Sequence, residues 1–198
     1  MLASISPLGE RARGSRWSVT VVAHVVGSIA GGALVAGALG AFGSVVPLSS
    51  RWRGGLLAGV IAAALVVELA PNVRLPTLHR QVDEDWLRRY RGWVYGFGYG
   101  FQLGMGVVTI VTTAALYAAL AAAFLSGSLA SGALIGVAFG ATRGAVVLTN
   151  RNAHDAGRLR ELHRRVQRWE RPAWRVGVSA QALALAAVAG TLMVGGHP

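Results

Sequence analysis

Residues 17–45 read WSVTVVAHVVGSIAGGALVAGALGAFGSV, a run without a single Asp, Glu, Lys or Arg. A helix needs ~20 mostly apolar residues to cross ~30 Å of hydrocarbon, and this run is more than long enough. It follows Arg11, Arg13 and Arg16. That basic start resembles a signal peptide, but the apolar run far exceeds the ~7–15 residues of a cleavable segment. The run therefore reads as a retained first membrane span.

The rest of the chain repeats this alternation. The 198 residues are 54% hydrophobic and only 14% charged, whereas average soluble domains are roughly 25% charged. Charges fall in short blocks between apolar runs, which excludes a soluble globule. Further spans are expected at 54–72, 93–125, 129–149 and 174–195, giving an all-α membrane bundle of about five helices in a single domain. Between them lie Arg51-Trp52-Arg53, the charged stretches 74–91 and 151–173, and the turn Ser126-Gly127-Ser128.

The formal net charge is +11, all 19 basic residues are Arg, and Cys is absent. Disulfides, thiolate metal sites and thiol redox chemistry in this chain are thereby excluded. Arginines between spans orient a membrane protein and meet anionic headgroups, so lipid rather than nucleic acid is the expected partner. Five spans place the N-terminus, 74–91 and 151–173 on one side, and the positive-inside rule makes that side cytoplasmic. The expected topology is N-in, C-out in the cell (inner) membrane. Trp17, Trp93 and Trp174 each open a span at the interface that indole rings prefer.

Residues 78–91 and 158–171 are too polar to span and read as amphipathic cytoplasmic helices lying on the membrane, with plain solvated loops as the alternative. Leu78-His79-Arg80-Gln81-Val82 recurs as Leu162-His163-Arg164-Arg165-Val166, and Gly55-Leu56-Leu57-Ala58-Gly59-Val60 recurs as Gly132-Ala133-Leu134-Ile135-Gly136-Val137. The expectation is an internal repeat of two units, 17–92 and 93–173, followed by a fifth span at 174–195. Such repeats are common in transporters and place a site at their interface. A biased composition would also produce such echoes.

Gly132, Gly136, Gly140 and Gly144 recur every four residues, as do Gly55, Gly59 and Ala63. Small residues at this spacing let helix backbones approach closely in lipid. They permit a homo-oligomer or a membrane-protein partner, with packing inside the monomer the favoured use. The glycine-rich entry to the third span, 93–106, is no phosphate loop, because neither a preceding strand nor a closing Lys-Ser/Thr is present. A straight helix over 93–125 would be ~50 Å long at ~1.5 Å per residue. A break near Gly104, Gly106 and Thr109 is expected, and broken helices line binding cavities.

Polar groups within the spans are few. At the helical rise His24 and Gln102 lie ~10–14 Å from the start of their spans, with Gln181 slightly shallower. His24, Gln102, Thr109 and Gln181 are the candidates for one polar cavity, the bland alternative being separate hydrogen bonds to neighbouring helices. Glu68 and Arg143 lie near the same ends of their spans and are a candidate ion pair; otherwise each reaches the headgroups. No acid lies near mid-membrane, which argues against a proton-coupled carrier. Ser126, Ser128 and Ser131 lack a His in the later spans to serve as base. His79, His154, His163 and His197 show no metal-ligand spacing. The expectation is no enzyme, cofactor or metal.

Gly98 to Gly106, Thr109, Ser126-Gly127-Ser128, Gly132-Ala133-Leu134 and Phe139-Gly140 together resemble CcdA/DsbD-type membrane electron carriers, of the LysE-like transporter group, over residues 98–148. That family moves electrons through paired cysteines, with Thr-Pro-Cys in this region and usually six spans. Here Ile110 and Val111 follow Thr109. The resemblance therefore implies a degenerate, cysteine-free form with redox function lost and a transport-like or accessory role left. The expectation is a small transporter or permease-like protein of unknown substrate, with a non-catalytic accessory or scaffold subunit of a membrane complex as the alternative.

Overall fold

The computed structural model describes residues 5–70, 89–106 and 113–194. All regular elements among them are helical: α1 (Pro7–Ala12), α2 (Trp17–Ser44), α3 (Ser50–Leu69), α4 (Gly92–Met105), α5 (Ala115–Leu125), α6 (Leu129–Ala145), a 3-10 turn (Val146–Asn152) and α7 (Ala156–Val194). Four helical stretches among the described residues are long and apolar enough to cross a membrane: Trp17–Ser44, Ser50–Leu69, Leu129–Asn152 and Arg160–Val194.

The starts of α1, α3 and α6 follow ordinary capping. The Ser6 hydroxyl accepts from Gly9 N at 3.1 Å, and Ser49 and Ser128 accept from Trp52 N and Ser131 N at 3.4 Å each. Each satisfies a backbone donor that the first helical turn leaves unpaired. The serines of the 126–128 turn thus serve local structure, since Ser126 Oγ donates to Ala123 O at 2.7 Å.

The expected third span is not one helix. α4 stops at Met105 because Gly106 adopts φ +74°, a conformation that L side chains rarely hold. The next described helix, α5, begins at Ala115. Gly104 and Met105 share a lining with Leu116 and Leu120, so the end of α4 lies beside the start of α5. Thr109 falls outside the described residues.

The core is a three-helix layer with α2 between α4 and α6. Along α2 glycines meet carbonyls on two flanks, and its remaining side exposes Val19, Val22, Val26, Leu34 and Phe42, an apolar face suited to lipid. Carbonyls of Phe97 and Phe101 abut Gly27 and Gly31, while those of His24 and Ser28 abut Gly100 and Gly104. On the other flank Gly132, Gly136 and Gly140 meet the carbonyls of Ala36, Gly32 and Ser28, and Gly32 meets that of Gly136. The Ser28 hydroxyl donates to Gly140 O at 2.8 Å. The stripe on α6 is therefore consumed inside the monomer.

A second layer, α3 with α5 and α7, packs through Ile61, Ala64, Ala114 and Ala118, flanked by Leu57, Leu65, Leu185 and Val188. Gly55 and Gly59 meet nothing within 4 Å. The matching letters of the expected repeat thus have unlike surroundings, buried at Gly132 and Gly136 and open at Gly55 and Gly59. The other copy, Leu78–Val82, and the amphipathic segment 78–91 up to residue 88 lie outside the described residues.

The expected surface helix 158–171 and fifth span 174–195 form one continuous element, α7, with Pro172 inside it. A single interior proline costs about 3 kcal/mol. The Arg, Leu, Glu and Ala on either side favour helix, and no glycine or turn residue interrupts Arg171-Pro172-Ala173-Trp174.

Candidate functional site

The densest polar chemistry among the described residues lies at the N-terminal end of the bundle. Ser6 and Pro7 start α1, and Gly14 at φ +66° reverses the chain after it. This short helix is tied down by Leu8 N donating to Ala153 O at 3.2 Å and Asn150 Nδ2 donating to Ile5 O at 3.3 Å. It swings Glu10 over the ends of α2 and α4, where the residue is 0% exposed.

Glu10 is fully satisfied there. Arg13 pairs with Oε1 at 2.6 Å, and the Thr20 hydroxyl donates to Oε2 at 2.7 Å. The Tyr95 hydroxyl lies 2.7 Å from both carboxylate oxygens, so its one proton is shared between them. Arg13 also stacks 5.7 Å from the Tyr95 ring centroid. Burial works against the Arg13 charge, but the bonds to Glu10 and Tyr95 outweigh it and raise the pKa. With its lone pairs occupied, this carboxylate is a lock between α1, α2 and α4. Charge-assisted bonds of this kind are roughly twice as strong as neutral ones.

A second lock closes the far end. Arg53 Nη2 donates to Gly43 O at 2.8 Å and Val46 O at 2.9 Å, Nε donates to Leu48 O at 3.1 Å, and Nη1 donates to Leu125 O at 3.2 Å. One guanidinium thus satisfies carbonyls at the end of α2, in its following loop and at the end of α5. Sequence reasoning missed both locks. Glu10 is submerged in a basic block, where Ser6-Pro7 is the one signal of a helix start, and Arg53 reads as an ordinary loop charge.

Of the expected polar cavity, Thr109 lies outside the described residues, and the other three candidates sit as follows. His24 is buried on α2 with the Gly96 carbonyl beside its ring and Nδ1 without a partner. Gln102 is half-buried on α4. Gln181 lies 7% exposed on α7, both amide atoms without a partner. α7 packs chiefly on α3 and α4 on α2, so His24 and Gln181 belong to different interfaces. The enclosed space between α2, α4, α5 and α6 is only ≈ 10 Å³ and is lined by apolar groups such as Val35, Met105, Leu116 and Phe139. That volume is about the minimum for one water, and His24, Gln102 and Gln181 do not line it.

The expected Glu68–Arg143 pair is also absent. Glu68 Oε2 accepts from Thr113 Oγ1 at 3.0 Å and Ala114 N at 2.8 Å, capping α5. The Arg143 guanidinium lies 5.3 Å from the Phe139 ring centroid. The cause is the layering, since α3 faces α5 and α7 while α6 faces α2. No group of His, Asp or Glu able to hold a metal occurs among the described residues.

These features define an all-helical protein of membrane type, with helices able to span and an interior closed by backbone contacts and end locks. No protein-family model, curated protein or solved structure matches the chain.

Proposed function

We propose that the chain is a non-catalytic scaffold or accessory subunit of a membrane complex, a rigid frame on which another component is held. It crosses the cell membrane five times, with α4 and α5 as the halves of one broken crossing, and its arginines face anionic headgroups. The carrying observation is the interlock of α2 with α4 and α6 through glycine–carbonyl contacts. Helices in such contact cannot slide or part without losing packing along their whole length.

The test uses the absence of cysteine. A Cβ at Gly37 would stand 3.4 Å from Ala133 Cβ, close to the ~3.5–4.5 Å of a disulfide. A Gly37→Cys, Ala133→Cys staple should rescue a strain lacking the protein as well oxidised as reduced. Rescue lost on oxidation and regained with reductant would mean that α2 and α6 must separate.

That outcome would favour the second reading, a small carrier. One observation supports it: α4 stops at Gly106, and a carboxylate, Glu68, accepts from Ala114 N at the start of α5. Broken helices at such positions line substrate sites in transporters.

A further inference from the structure

α7 is longer than a membrane requires. Its 39 residues make a helix of about 58 Å, whereas the hydrocarbon is ~30 Å thick. The surplus corresponds to the arginine-rich half, residues 156–175, which cannot lie within hydrocarbon. Residues 164–176 are exposed on every side, so nothing in the described chain covers them. Yet this charged half carries Val166 at 46% and Trp169 at 67% exposure.

Those apolar residues are not scattered. Leu162, Val166, Trp169, Ala173, Val176 and Ala180 follow the alternating four- and three-residue spacing of a coiled-coil seam. The seam continues through Leu183, which is 71% exposed. The face that packs on α3, with Gln181, Leu185 and Val188, is the opposite one. In the apolar half the seam has alanine at every other position, which suits close approach of helices in lipid.

We infer that α7 pairs in parallel with α7 of a second copy along this seam, making the protein a homodimer. The charges specify that occupant. Arg165 flanks Val166 and Glu170 flanks Trp169, which are the positions that face each other, five residues apart, across a parallel two-stranded coil. Arg165 of each copy then meets Glu170 of the other, twice per dimer. Copies inserted in one membrane share their direction, so the parallel arrangement is the one that insertion imposes. This inference is independent of the scaffold reading, since a carrier could dimerise in the same way.

Single cysteines in the otherwise cysteine-free chain test it in proteoliposomes. On oxidation, Val166→Cys and Trp169→Cys should give disulfide dimers, and Arg164→Cys, Gln167→Cys and Arg171→Cys should not. Uniform cross-linking around the helix, or cross-linking strongest off the seam, would overturn the proposal. So would its complete absence, the result expected if the arginine-rich half lies flat on lipid. A charge exchange supplies the second arm, read as dimer fraction by single-molecule photobleaching. Arg165→Glu alone and Glu170→Arg alone should each weaken dimerisation about two- to thirtyfold, given exposed pairs worth ~0.2–1 kcal/mol and two of them per dimer. The combined exchange should restore it, and equal dimerisation by single and double variants would refute the register. All substituted positions in this arm are exposed, so folding is not at stake.

Discussion

The Glu10 carboxylate shows how much one residue can organise. It is the meeting point of Arg13, Thr20 and Tyr95, and it joins elements that are far apart in sequence. A Gln in its place keeps the shape but loses the charge, taking the carboxylate away from the half-buried Arg13. Breaking a buried charged cluster from one side costs about 3 kcal/mol or more, while losing the single Tyr95 hydroxyl costs about 1.5–3 kcal/mol. Glu10→Gln and Tyr95→Phe should therefore each lower the thermal midpoint in detergent. Because both remove the same bond, their combination should fall short of the sum by about 1 kcal/mol or more. Strict additivity would mean that Tyr95 and Glu10 act separately, and α1 would then not be locked through them.

Between helices, the difference between the two glycine stripes can be measured. A methyl at Gly100 or Gly136 would overlap a backbone carbonyl of α2, His24 or Gly32 respectively, and a backbone cannot rotate aside. Overpacking of this sort costs about 1–3 kcal/mol. Gly55→Ala meets open space and should be neutral or slightly stabilising through helix propensity. Equal effects at Gly55 and Gly136 would show that the stripes are not used differently. This is also where the sequence ran out of information. Four-residue spacing revealed that both helices have a small-residue face, but nothing in the letters says which face finds a neighbour. The apolar runs did show where long helices form, and Gly106 was legible as a break because the third run was too long for one crossing. Depth along a helix is readable from sequence, whereas direction around it is not. His24 and Gln181 thus point into different helix interfaces, which the letters do not reveal.

For the whole molecule, the two locks define two ends, and the charges divide between them. α1 is bonded to Ala153, so the N-terminal arginines and the start of α7 share one end. Arg51 and Arg53 lie at the other with the 126–128 turn, and Arg53 is spent on carbonyls. This leaves Arg51 as the far end's one arginine outside the Arg53 lock among the described residues, against Arg11, Arg16, Arg151, Arg158, Arg160 and more at the near end. Orientation follows Lys/Arg bias in short loops and flanks, so the near end should be cytoplasmic. A cysteine at Ser128 should then react with an impermeant maleimide in intact cells, and one at Arg160 should react only after the membrane is opened. Both positions tolerate the change sterically: Ser128 contributes only a long 3.4 Å cap, and Arg160 is exposed. The reverse pattern would place the arginine-rich half of α7 outside the cell, away from the anionic cytoplasmic leaflet. It would remove the lipid partner from the proposed function while leaving the α7 seam, which depends on spacing rather than side, open to the same cross-linking test.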